Sequence, residues 1–294
     1  MGSRRPGMEH ELMTTNLEKL RRLPDHLREQ IKGQDHVMER ICSVLRRGEL
    51  GLASTRRPRG SFLFVGPTGV GKTEVTNVFT EYLFEGSKPL RFDMSEYQTH
   101  SSVEKLIGEK VGDTGLLGRA LATAETGTLL FDEIEKAHPL VLDLFLQILD
   151  DAAITLASGE RKNLSGFYVV FTSNIGAAEA MRMRSAPFAS VQRTVLSRVS
   201  QQLRPELVGR MTEKLVFASL EYEVQREICA QMVERECARL RGLGLTVDVG
   251  PDALEALIRE GYHRGLGARP MRGAVERYLQ ERVVADLLDA RVSA

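Results

Sequence analysis

The chain has 294 residues, 42% hydrophobic and 27% charged, with Lys plus Arg equal to Asp plus Glu at 40 each. Such a composition is that of an ordinary globular protein, and the length exceeds one small core, so a large and a smaller domain are expected. Zero net charge disfavours a nucleic-acid partner, and no stretch approaches the roughly 18 apolar residues of a membrane span.

In chain order, residues 1–16 are polar and read as a mobile segment with no secretory signal. Leu17, Leu20, Leu23 and Leu27, interrupted at Pro24, predict one short helix and a turn. Gly33-Gln34-Asp35 opens a helix on Val37, Ile41, Val44 and Leu45, and 49–60 reads as a loop. Its basic knot, Arg56-Arg57-Pro58-Arg59, reads as solvated linker. From Phe62 to Thr172, apolar strands at 62–65, 89–93, 127–131 and 168–172 alternate with helices near 72–84, 101–107, 115–125, 139–150 and 188–203. This alternation predicts an α/β fold, a parallel sheet with helices on both faces. After residue 213 the texture changes. Strands at 214–217 and 245–249 accompany helices at 221–241, from Pro251, and at 269–289. The predicted domains are therefore an α/β domain over 17–213 and a smaller, mainly helical lid over 214–294. Cys42, Cys229 and Cys237 are too scattered for a disulfide framework or zinc site, and suit buried thiols in a reducing cytoplasm.

The chemistry concentrates at residues 66–73: Gly66, Pro67, Thr68, Gly69, Val70, Gly71, Lys72 and Thr73. They follow an apolar strand and precede a helix, the context a phosphate-binding loop requires. Glycines let successive N–H groups converge on a phosphate, and the helix adds the positive end of its dipole. Lys72 would reach the β- and γ-phosphates, and the Thr73 hydroxyl would ligate Mg²⁺.

Asp132 and Glu133 end a buried strand. Beside such a loop, Asp132 would hold Mg²⁺ through water and Glu133 would polarise the attacking water; alone, the same pair is a helix-start signal. Asn174 ends another strand, where it either orients that water or caps the next helix. Arg210 and Arg269 are candidate phosphate sensors or surface arginines.

These stretches together resemble the second ATPase domain of the Clp chaperone ATPases, the ClpA and ClpB class of the AAA+ superfamily. The matching segments are Lys32-Gly33-Gln34-Asp35, residues 60–74, Arg91-Phe92-Asp93-Met94-Ser95-Glu96-Tyr97, residues 130–139, residues 204–210 and Gly267-Ala268-Arg269-Pro270. The resemblance covers about residues 27 to 290. It implies a P-loop NTPase with a five-stranded sheet in the order 5-1-4-3-2, ATP and Mg²⁺ as ligands, and a ring-like homo-oligomer, hexameric in the family. It places Ile31 at the adenine, makes Asn174 the first sensor and Arg269 the second, and makes Arg210 the arginine finger reaching the next subunit's nucleotide.

Three departures accompany it. The glycine-rich gripping loop, here at 106–116, looks shortened, and no aromatic residue lies between Tyr97 and Phe131. The resemblance leads to the expectation of an upstream ATPase or adaptor-binding domain and of a final strand pair in the lid; the 294 residues contain neither, and truncation and genuine shortening both stay open. Two functions stay open: an ATP-driven remodeller of a protein partner, and a non-threading switch whose nucleotide state controls assembly. A nucleic-acid remodeller is disfavoured by the neutral charge.

Overall fold

The computed structural model describes residues 6–292. Two helices, α1 (Pro6–Gln30) and α2 (Asp35–Glu49), precede β1 (Gly60–Val65), the phosphate loop and α3 (Lys72–Leu83). Then come β2 (Leu90–Asp93), α4 (Ser102–Ile107), α5 (Gly115–Ala120), β3 (Gly127–Asp132) and α6 (Pro139–Asp151). A small hairpin, β4 (Ala153–Thr155) and β5 (Arg161–Asn163), leads to β6 (Phe167–Ser173), α7 (Ala177–Arg182), α8 (Phe188–Gln202), α9 (Pro205–Arg210) and β7 (Glu213–Val216). The chain closes with α10 (Tyr222–Gly242), α11 (Pro251–Gly261) and α12 (Arg269–Val292).

Five strands form one parallel sheet in the order β2-β3-β6-β1-β7. With the hairpin set aside, this is the 5-1-4-3-2 order. Period-2 alternation sorts each strand's side chains to two faces. Leu63, Val65, Leu129, Phe131, Val169 and Phe171 face the core built with α4, α5, α6, α8 and α9. Phe62, Phe64, Leu130, Tyr168 and Val170 face the one built with α1, α2 and α3. Both faces are covered, so β1, β3 and β6 read as near-continuous apolar runs. Phe131 packs against Phe145 at 4.4 Å and Phe171 at 5.5 Å between ring centroids, and burying each such ring contributes roughly 1.5–3 kcal/mol. That packing fixes the strand end that carries Asp132.

The first helix departs from expectation. It runs unbroken from Pro6, through most of the segment expected to be mobile and past Pro24; residues 1–5 lie outside the described residues. Proline cannot donate to the carbonyl four residues earlier, which should break the helix. That carbonyl, Leu20 O, instead accepts from Arg46 Nε at 3.0 Å, so a side chain of α2 replaces the missing amide. β7, expected in the lid, pairs with β1 as an edge strand of the main sheet. The expected strand at 245–249 does not form: Val247 is buried against the lid helices, with no neighbouring strand to bond its backbone. α5 stops at Ala120, short of the 125 expected, and α7, α9 and the hairpin were not anticipated.

The helices α10, α11 and α12 enclose their own small core around Cys229, Leu257, Ile258, Met271 and Leu279. Cys42 and Cys229 are buried free thiols, which burial pushes up to about 12 and about 11. Among the described residues no helix is long and apolar enough to cross a membrane.

Candidate functional site

Parallel pairing brings the carboxyl ends of β1, β2, β3 and β6 to one edge of the sheet, where open α/β sheets bind ligands. A cleft of about 450 Å³ opens there, between the α/β sheet and the lid helices. The phosphate loop forms its floor. Gly66, Gly69 and Gly71 adopt φ of 147°, 72° and 104°, a region that disfavours side chains. A Cβ on Gly69 would lie 2.1 Å from Leu266 O, because the lid segment before α12 sits directly on the loop. Ala268 N donates to Gly69 O at 3.0 Å, which fixes that seating and carries Arg269 into the cleft wall. The start of α3 has no side-chain cap, so its first amides remain available to an anion.

Lys72 is buried and donates to Gly66 O and Pro67 O at 2.6 Å each and to Asn174 Oδ1 at 3.0 Å. Burial lowers its pKa to about 8, opposed by the nearby carboxylates of Glu135, Asp132 and Glu133. Thr73 Oγ1 donates to Asp132 Oδ1 at 3.3 Å, so hydroxyl and carboxylate share one corner of the cleft. Asp132 also accepts from the Thr172 hydroxyl and pairs with Arg91 at 2.7 Å.

Glu133 holds φ 58° and ψ 51°, uncommon for a residue with a side chain. Its amide donates to Thr172 Oγ1 at 3.1 Å, which helps to hold this turn. Its carboxylate accepts from Asn174 Nδ2 at 3.1 Å and pairs with Lys136 at 2.5 Å. Asn174 therefore bridges Lys72 and Glu133 through its side chain, and neither it nor Asp132 acts as a side-chain helix cap. Ile31 lines the cleft with Leu220, Ile228 and Met232, an apolar wall suited to a flat base; it lies beside the loop, 3.7 Å from where a Cβ on Gly71 would sit.

Arg210 does not line this cleft. It lies on α9, with Nε 2.6 Å from both oxygens of Asp150.

Several participants gave no individual signal. Gln34 is fully buried and donates to Val70 O and Ala218 O while accepting from Ala218 N, tying the loop to the exit of β7. Glu135 accepts from the Asn174 amide at 3.0 Å, and its other oxygen is buried without a partner. Glu74 lies 3.4 Å from Arg235 of α10 and 3.5 Å from Arg272 of α12, joining the lid to α3. Gln34, Glu74 and Arg91 stood inside recognised stretches, but their partners are too distant in sequence to be named from it.

The lining fits a nucleoside triphosphate: the uncapped amides at the start of α3, the cations Lys72 and Arg269, and an apolar wall of Ile31, Leu220, Ile228 and Met232 share one cleft. Thr73 and Asp132 fit an octahedral divalent ion that keeps several waters.

Comparison with known proteins agrees with this geometry. A family model described as AAA domain (Cdc48 subfamily) matches residues 57–214, and one described as the C-terminal, D2-small domain of ClpB protein matches 220–294. The chain belongs to the AAA+ ATPases of the Clp chaperone class. It is 35% identical over 286 residues to Chaperone protein ClpB 2 of Nostoc sp., covering 95% of this chain and 33% of that protein. It is 34% identical over 290 residues to the ATP-dependent Clp protease ATP-binding subunit ClpC of Staphylococcus aureus, covering 94% and 36%. Among solved structures, a closed-state cryo-EM reconstruction of Hsp104 with ATPγS and FITC casein superposes with a TM-score of 0.84 at 30% identity. That match covers 94% of this chain and 49% of the other. The chain thus spans about a third of the length of these curated relatives.

Proposed function

We propose that the chain hydrolyses ATP with Mg²⁺ in an oligomer and uses the turnover to remodel a protein partner. The observation that carries this reading is the Lys72–Asn174–Glu133 chain of contacts, which joins a phosphate-binding lysine to a carboxylate base through one amide. Thr73 and Asp132 would hold Mg²⁺, which when bound supplies charge neutralisation at the phosphates. Lys72 and Arg269 bind and orient the terminal phosphate. Glu133, oriented by Asn174, accepts the proton of a water attacking the γ-phosphorus; the bond to the bridging oxygen breaks, and ADP and phosphate leave. Ile31 and the apolar wall hold the base.

Arg210 lies outside its own cleft and so is assigned to the nucleotide of an adjoining copy, in a ring that is hexameric by family analogy. The Clp chaperone relatives support a protein as the remodelled partner, and the chain itself is assigned to the cytoplasm. A second reading, a switch that does not thread polypeptide, draws on the loop between α4 and α5. Its most exposed apolar side chain is Val111, 88% exposed, and it carries no aromatic ring.

A trans-acting Arg210 makes specific ATPase activity rise with protein concentration. Arg210→Ala should bind nucleotide normally yet lower turnover by about 10³-fold. Phosphate release measured across a dilution series checks both. Activity per chain that stays constant on dilution, with Arg210→Ala as active as the parent, contradicts the assignment.

A further inference from the structure

Two ion pairs fasten α9 to α6. Asp143 and Asp150 stand at i and i+7 on α6 and share one stripe of that helix. Arg204, which precedes the first turn of α9, pairs with Asp143; Arg210, its last residue, pairs with Asp150. The two contacts differ in consequence. Arg210 is gripped by its Nε edge, with both Asp150 oxygens at 2.6 Å, while Nη1 donates to Glu206 O at 2.9 Å. None of these bonds uses Nη2. A long side chain that would otherwise sample many rotamers is thus held as an oriented fork. The anchoring helix, α6, follows the Asp132–Glu133 strand end through a single 3-10 turn at 134–136.

We infer that Asp150 is a positioning residue for Arg210: it fixes the guanidinium so that its Nη2 can meet the nucleotide of an adjoining copy. This rests on the reading of Arg210 as acting in trans. An exposed ion pair that merely stapled α9 to α6 would be weak and screened by salt. Asp143 makes such a staple with Arg204 and does not touch Arg210, which makes it the natural control.

The test compares Asp150→Ala, Asp150→Asn, Asp150→Glu, Asp143→Ala and Arg210→Ala, and the Asp150→Ala/Arg210→Ala double variant, in the full chain. It measures turnover at saturating ATP and the affinity of a fluorescent N-methylanthraniloyl-ADP probe. Misplacing a reacting group slightly costs up to about 10²-fold, so Asp150→Ala and Asp150→Asn should lose about tenfold to 10²-fold in kcat with probe affinity unchanged. Asp150→Glu should recover part of that loss, and Asp143→Ala should keep parental kcat. The double variant should be no slower than Arg210→Ala alone, a silence that general destabilisation would not produce. The near-isosteric Asp150→Asn variant covers the case in which Asp150→Ala fails to fold.

An inactive Arg210→Ala beside fully active Asp150 variants overturns the positioning role and leaves the trans arginine standing. Equal losses in Asp143→Ala and Asp150→Ala, or a further loss in the double variant, reduce the pair to a staple and also overturn it. A fully active Arg210→Ala overturns the trans reading itself, and this inference with it.

Discussion

Glu133→Gln will retain nucleotide and lose turnover, with phosphate release falling by about 10³-fold, within the range a positioned general base contributes. The substitution preserves shape, and its amide oxygen can still accept from Asn174 Nδ2, now 3.1 Å from Glu133 Oε1. What it removes is the capacity to take a proton and the ion pair with Lys136. The backbone at 133 keeps its unusual φ, since the supporting bond from its amide to Thr172 Oγ1 uses no side-chain atom of Glu133. Nucleotide affinity should therefore match that of the parent chain. Phosphate-release kinetics beside equilibrium titration separate the two quantities, and unchanged turnover would remove Glu133 from the base role.

Lys72→Met should act on the other quantity. Hydrogen bonds to charged groups contribute roughly 1.5–3 kcal/mol each, so losing those from Lys72 to phosphate should weaken nucleotide binding by about 10²-fold or more. The ligand-free fold should change much less. Methionine leaves the carbonyls of Gly66 and Pro67 without their donor, but it also relieves the burial of an ammonium. The expected result in thermal denaturation is a modest change without nucleotide and loss of the upward shift that nucleotide gives the parent.

The lowered pKa of Lys72 adds a dependence on pH. Phosphate binds the charged form, so affinity in the parent chain should be level below pH 8. It should then decline towards tenfold per pH unit as the free lysine deprotonates above about 8. The folding linkage runs oppositely. With its folded pKa below its unfolded one, Lys72 leaves more protons on the unfolded chain between about 8 and 10.5, so its contribution to stability rises with pH across that window. In Lys72→Met both trends should vanish. A pH-independent difference between the variant and the parent contradicts the assigned shift.

The sheet and the phosphate loop were legible because their signals are local. An apolar strand, a glycine turn and a helix start occupy fewer than about twenty consecutive residues, and buried strands announce themselves as unbroken apolar runs. The strand ends at Asp132 and Asn174 were legible for the same reason, and the family resemblance supplied strand order. What escaped depends on partners distant in the chain. Pro24 should end a helix, and it does not because Arg46 reaches Leu20 O. β7 belongs to the large sheet through its pairing with β1, which no property of 213–216 alone specifies. At 245–249 the alternation was real, yet it marks a segment packed on helices, and alternation alone does not provide a hydrogen-bonding neighbour. The hairpin strand Arg161–Asn163 is polar and three residues long, too short to show a period. Within the site, Glu135 and Gln34 make their contacts across the fold, with Asn174 and with Val70 and Ala218, so their residue types were visible and their uses were not.

The cleft's claim to a nucleoside triphosphate can be settled by isothermal titration calorimetry of the full chain with ATPγS in the presence of Mg²⁺. The expected result is saturable binding of a single nucleotide per chain, weakened by about 10²-fold or more in Lys72→Met. Absence of any binding heat at millimolar nucleotide, or equal binding by parent and variant, would contradict the account at its base.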